Sequence, residues 1–196
     1  MTVLVRAVGL VGSGTKATVP LPTQGKVNEV GITLRRGYNV LAVDGPGQGG
    51  ALHLQKLVMR PDWEAVITPV VDYALARREI EPGRIAGFGY SLGGYLLARA
   101  AVFEHRLSAL VLDDGVHDLA SGFAENMPPF LGTWVQDGHD EYAIPVMSLL
   151  MTLSPQLAWA VRNGMWVFGV ENYAELLRTA TKYTLDGVAD QILAAP

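Results

Sequence analysis

The sequence predicts an α/β protein: a parallel sheet of about four strands flanked by helices, with a helical cap. Three observations carry that prediction. The runs "YNVLAVDG" and "LSALVLDDG" are mainly apolar, as strands covered on both faces are. Between such runs lie stretches with apolar residues at helical spacing. The alternation of strand and helix then implies right-handed crossovers within one parallel sheet.

The elements follow in order. "TVLVRAVGLV" reads as a buried parallel strand ending in the turn "GSG". A helix is expected over "VNEVGITLRR", closed by Gly37 at its C-terminal end. "YNVLAVDG" is the second strand and runs into the glycine-rich loop "GPGQGG". In "RPDWEAVITPVVDYALARR", Trp63, Val66, Ile67, Val70, Val71, Ala74 and Leu75 share one helical face. Pro61, Asp62 and Glu64 suit its N-terminus, Arg77 and Arg78 its C-terminus, and Pro69 predicts a kink. "RIAGFGYS" is the third strand, "LGGYLLARAAVF" the helix after it, and "LSALVLDDG" the fourth strand.

After Gly115 the rhythm stops. Irregular helices are expected, broken at Pro128–Pro129, Pro145 and Pro155. The chain therefore divides into a core over 1–116 and a helical cap over 117–190, with residues 191–196 after it.

Composition bounds the function. With 196 residues, 49% hydrophobic and 17% charged, the chain has enough apolar material for one packed core. A net charge of -4 gives no reason to expect nucleic acid. The absence of cysteine excludes disulfides, thiolate metal sites and cysteine nucleophiles. Arg6 interrupts the apolar N-terminus, which suits a strand better than a signal peptide. The most apolar segment, "AIPVMSLLMTLSPQLAWAVRNGMWVFGV", is broken by Pro145, Pro155, Arg162 and Asn163 below the length of a membrane span. A soluble cytoplasmic protein without metal or cofactor is the expectation.

The motif with most chemistry is Gly89-Tyr90-Ser91-Leu92-Gly93, between a strand and a helix. That is the setting of a nucleophile elbow, in which a tight turn presents a serine and small neighbours let strand and helix approach. Ser91 is the candidate nucleophile, and the amide of Leu92 a candidate oxyanion donor. A second donor is expected from the turn at Gly12, Ser13 and Gly14. The plainer alternative is a glycine-rich turn with an incidental serine. "GLVGSGTK" approaches a phosphate-binding loop, but Thr15-Lys16 reverses the required order, which displaces the lysine.

A serine nucleophile needs a base. Of the four histidines, His53 is expected to be exposed, His105 to be a structural contact, and His139 to lie in a polar loop. His117 follows the strand ending in Asp113 and Asp114, on the sheet edge that bears Ser91. These three are candidates for a substitute acid and base, against the plainer reading of a polar loop at a strand end.

Together, "RRGYNVLAVDGPGQGGAL", "MRPDWEAVITPVVDYAL", "GYSLGGYLLARAAVFEHRLSALVLDDGV" and "FGVENYAELLRTATKYTLDGVADQI" resemble the α/β-hydrolase superfamily. The similarity is greatest to the fungal pigment-pathway hydrolases that shorten polyketides and to the pseudooxynicotine C–C bond hydrolases. It covers nearly the whole chain from Thr2 onward. The resemblance implies a partial α/β-hydrolase fold, with Ser91 at the nucleophile position and a small carbonyl substrate. It also implies truncation at both ends, because family members resume the sheet after the cap with two strands, of which 191–196 would be the truncated start. The first of those carries the triad acid and the loop after the second carries the histidine. No residue here matches either, so an impaired serine hydrolase acting on an ester or a C–C bond is expected. The alternatives are a non-catalytic pseudoenzyme and, more remotely, a nucleotide binder. The strand "LSALVLDD" would become a sheet edge, which implies self-association.

Overall fold

The computed structural model describes residues 3–4, 8–13, 33–113, 115–125 and 127–194, with side chains for 33–113, 115–124 and 127–194. Two compact units divide the chain: residues 1–45, 61–117 and 185–196 form one, and residues 46–60 and 118–184 the other. The second unit thus takes in the loop after "VDG", and residues 185–194 return to the first.

The first unit holds a five-stranded sheet of β1 (Val3–Leu4), β2 (Val8–Ser13), β3 (Tyr38–Leu41), β4 (Ile85–Tyr90) and β5 (Leu107–Asp113). β4 and β5 pair in parallel over their whole length, from Ile85 opposite Leu107 to Tyr90 opposite Asp113. β2 departs from the expected parallel strand. It forms a short antiparallel pair with β1 and runs antiparallel to both β3 and β4. An apolar run reports burial but carries no strand direction, which explains the difference. Residues 33–35 form the described end of the expected helix, and Gly37 closes it at φ 85. The rest of that helix, with Gly14, Thr15 and Lys16, lies outside the described residues.

Helices α2 (Glu64–Leu75) and α3 (Leu92–Ala101) belong to this unit, α3 packing on the sheet. Ile67, Val71 and Ala74 form the buried stripe of α2, and Pro69 lies inside that helix on an exposed position. Trp63, completely buried, sits before its first turn, and a β-carbon on Gly45 would come within 2.7 Å of its ring. Gly45 and Trp63 are thereby packed against each other. Glu64 and Arg99 tie α2 to α3 through two hydrogen bonds of 3.0 and 3.1 Å. That pairing raises the Arg99 guanidinium further above its ordinary range.

The second unit is helical: α1 (Gly49–His53), α4 (Leu119–Glu125), α5 (Pro129–Gln136), α6 (Asp140–Leu153), α7 (Pro155–Phe168) and α8 (Tyr173–Ala180). Pro129 and Pro155 open helices, where a missing N–H costs nothing. Pro145 instead lies within α6, so the break expected there is absent. The carbonyl that loses its donor belongs to Glu141, in the exposed first turn, where water can serve it. Ser154 caps α7 by accepting from Leu157 N at 3.3 Å, and Asn172 caps α8 by accepting from Glu175 N at 2.9 Å. Trp159 is 70% exposed, which rules out a core role for it. Among the described residues, no helix is long and apolar enough to cross a membrane.

The chain leaves and re-enters the first unit at adjacent points. Leu185 N donates to His117 O at 3.0 Å, Leu119 N donates to Tyr183 O at 2.9 Å, and Asp118 bridges Thr184 between them. After the short 3-10 turn Ala189–Gln191, residues 192–194 carry no strand.

Candidate active site

β4 delivers Ser91 to the surface. Ile85, Gly87 and Gly89 point alternately into the core, and Tyr90 begins the exposed turn. Ser91 itself is exposed and adopts φ 54 and ψ -127, a region that residues with a β-carbon occupy only under strain. Two hydrogen bonds hold it there. Its amide donates to the carbonyl of Asp113 at 2.8 Å, and its carbonyl accepts from Gly94 N at 2.8 Å.

The glycines around it are required by close approach. A β-carbon on Gly89 would collide with the carbonyl oxygen of Gly93. One on Gly94 would stand 2.6 Å from the Gly115 Cα, and one on Gly87 would meet Leu97 and Leu110. Strand, serine, helix and the end of β5 therefore meet with no room for a methyl group. α3 starts at Leu92, so the Leu92 amide is among the first-turn donors that the helix itself cannot pair.

The turn expected at Gly12, Ser13 and Gly14 differs from what is described there. Gly12 and Ser13 lie within β2, opposite Asn39 and Tyr38, rather than in a turn. Since Val8 is opposite Gly89 and the strands are antiparallel, Gly12 lies roughly 13 Å along β2, away from Ser91. Gly14 falls outside the described residues. Gly9 of the phosphate-loop pattern is likewise a strand residue, opposite Phe88.

Each histidine has a partner other than Ser91. His53 is exposed and lies edge-on to Trp166, with ring centroids 4.7 Å apart. His105 Nε2 is 2.8 Å from the carbonyl of Val102. His139 precedes α6, with Nδ1 at 3.5 Å from Glu141. His117 Nε2 pairs with Asp186 Oδ1 at 2.8 Å, both side chains largely exposed. Its carboxylate partner is thus Asp186; the carbonyl of Asp113 supports the elbow, and Asp114 lies outside the described residues. A histidine held by a carboxylate on one nitrogen can accept a proton on the other, but His117 makes no hydrogen bond to Ser91 Oγ. No sequence signal links His117 to Asp186, 69 residues away.

Gln48 is a second residue that sequence reasoning passed over. It is buried in the second unit at the start of α1, and its side-chain amide has no hydrogen-bond partner among the described residues. Its setting between glycines was the visible signal. Among the described residues, no three metal-ligating side chains converge.

Comparison with known proteins accords with this geometry. Residues 27–194 match the sequence model of the alpha/beta hydrolase family. A hydrolase from a Fusarium species is 40% identical over 169 residues, covering 81% of this chain and 39% of its own length. A 20-hydroxy-prefusarin hydrolase from Gibberella moniliformis is 40% identical over 163 residues, covering 79% of this chain and 38% of its own. The chain thus spans about two-fifths of the length of these relatives. The crystal structure of the 2,6-dihydroxy-pseudo-oxynicotine hydrolase matches 99% of this chain with 50% of its own, at a TM-score of 0.62 and 20% identity. A strained serine between strand and helix, enclosed by glycines, and a family match over most of the sequence lead to one conclusion: the chain belongs to the alpha/beta hydrolase family.

Proposed function

We propose that this chain is a serine hydrolase of low intrinsic turnover, with Ser91 as the nucleophile toward the carbonyl carbon of an ester or a β-diketone-like C–C substrate. The observation that carries this reading is the backbone of Ser91, held at positive φ between β4 and α3. In the proposed step the Ser91 Oγ–C bond forms as the carbonyl π pair moves onto oxygen, where the Leu92 amide donates to it. The leaving group departs with a proton, and water then releases the acyl group. The hydrolase names of the relatives support the reaction class.

Low turnover follows from the proton. Oγ must lose it as the bond forms, and no histidine rests on Oγ. Removing the base from such a site costs about 10⁶-fold in turnover. Hydrolysis of a p-nitrophenyl acyl ester tests this. Slow turnover that disappears in Ser91→Ala is expected; turnover unchanged by that substitution would overturn it. A His117→Ala variant with normal residual turnover would remove His117 as a base.

The engagement of all four histidines elsewhere favours one second reading, a non-catalytic member that keeps the fold. Ser91-dependent turnover excludes it.

A further inference from the structure

Within the second unit, helices α4, α5 and α8 enclose a cavity of about 390 Å³. That is within the size range of small-molecule sites. Ala124, Met127, Val135 and Leu177 give it a mainly aliphatic wall.

Two residues in that wall are out of keeping with mere loose packing. Gly132 sits in the middle of the eight-residue helix α5, where glycine costs about 1 kcal/mol relative to alanine. Close contact with a neighbour would explain it, yet among the described residues a β-carbon on Gly132 would meet no atom beyond its own helix backbone within 4 Å. The glycine leaves space open. Tyr173 is the second. It is 4% exposed, and burial pushes its hydroxyl up to about 12, so it remains a neutral donor. That hydroxyl donates to Met127 Sδ at 3.3 Å, and a thioether is a weak acceptor. A buried hydroxyl so paired falls short of the hydrogen bond an oxygen acceptor would provide.

Arg178 on the rim points to an uncharged ligand. Asp140 holds it with bonds of 2.9 and 2.5 Å, and it donates to the Val135 carbonyl at 3.0 Å. Its charge is matched within the protein.

We propose that this cavity binds an uncharged, largely apolar small molecule with one carbonyl oxygen, which replaces Met127 Sδ as the acceptor for Tyr173. The site lies wholly within the second unit and does not rest on the chemistry of Ser91.

Benzophenone and diphenylmethane test it, since they have the same shape and differ in the carbonyl. Benzophenone is expected to bind the protein about threefold to tenfold more tightly than diphenylmethane, one buried hydrogen bond apart. Tyr173→Phe should remove that difference without weakening diphenylmethane. Gly132→Leu, which fills the cavity from an unhindered position, should abolish binding of both while melting no lower than the parent. Under ultraviolet light the excited ketone oxygen takes a hydrogen from an aliphatic C–H of the cavity wall, and the two radical carbons join. The adduct, one whole benzophenone, should map to the peptide containing Met127 and form equally in Ser91→Ala. Equal affinity for the two probes, binding that survives Gly132→Leu, or an adduct dependent on Ser91 would overturn the assignment.

Discussion

At Ser91, backbone strain and chemistry are in tension. The residue occupies a conformation that glycine adopts freely, at a cost of about 1–3 kcal/mol for a residue with a β-carbon. Ser91→Gly relieves that strain and gives back about 1 kcal/mol through the looser unfolded chain. The net gain is up to about 2 kcal/mol, so the variant should melt up to about 8 °C higher than the parent while losing all ester turnover. A lower melting temperature in a calorimetric scan would mean that the turn is not strained in the way described. Legibility differed sharply between residues. Ser91 and its glycines were readable because their spacing is local and each residue type answers a local steric need. The His117–Asp186 pair was not, because only folding brings together residues that share no period or turn.

Among elements, the sheet edge and the two long core helices are fixed by a few specific contacts. Gly45→Ala would drive a methyl group into the Trp63 ring, which is locked in the core. Overpacking of this kind costs about 1–3 kcal/mol, so denaturant unfolding should move to lower concentration by that amount. A variant as stable as the parent would show that the loop yields. Between α3 and β5, Glu104 is 4% exposed. Burial disfavours its charge, but the Arg106 guanidinium at 2.7 and 2.6 Å and the Arg106 amide at 3.1 Å outweigh that and hold its carboxyl below the ordinary value of 4.5. Because the folded value is the lower one, Glu104 stabilises the protein above pH 4.5, and that contribution is lost as pH falls through the folded value. Glu104→Gln should destabilise the protein at pH 7 and flatten its acid unfolding curve. An unaltered pH profile would contradict the pairing. The direction of β2 and the continuity of α6 through Pro145 lay beyond sequence reasoning. Hydrophobic patterning marks where an element is buried, while its direction depends on which neighbour it finds.

On the scale of the whole molecule, the two units differ in how far they could be read. The β4–α3–β5 segment was legible because buried strands and a small-residue helix leave few arrangements, whereas the second unit's cavity depends on how three helices meet. β5 ends the sheet among the described residues, and Val111 and Leu112 on it are 51% and 41% exposed. Such an edge invites another strand. Light scattering should show association that grows with concentration and weakens in Val111→Lys, while a monomer at every concentration would contradict it. The account as a whole stands on Ser91 as an accessible nucleophile, and the most direct measurement is the mass of the protein after treatment with a fluorophosphonate. The expected result is one adduct, mapped to the peptide containing Ser91 and absent in Ser91→Ala. No adduct, or one that persists in that variant, would contradict it.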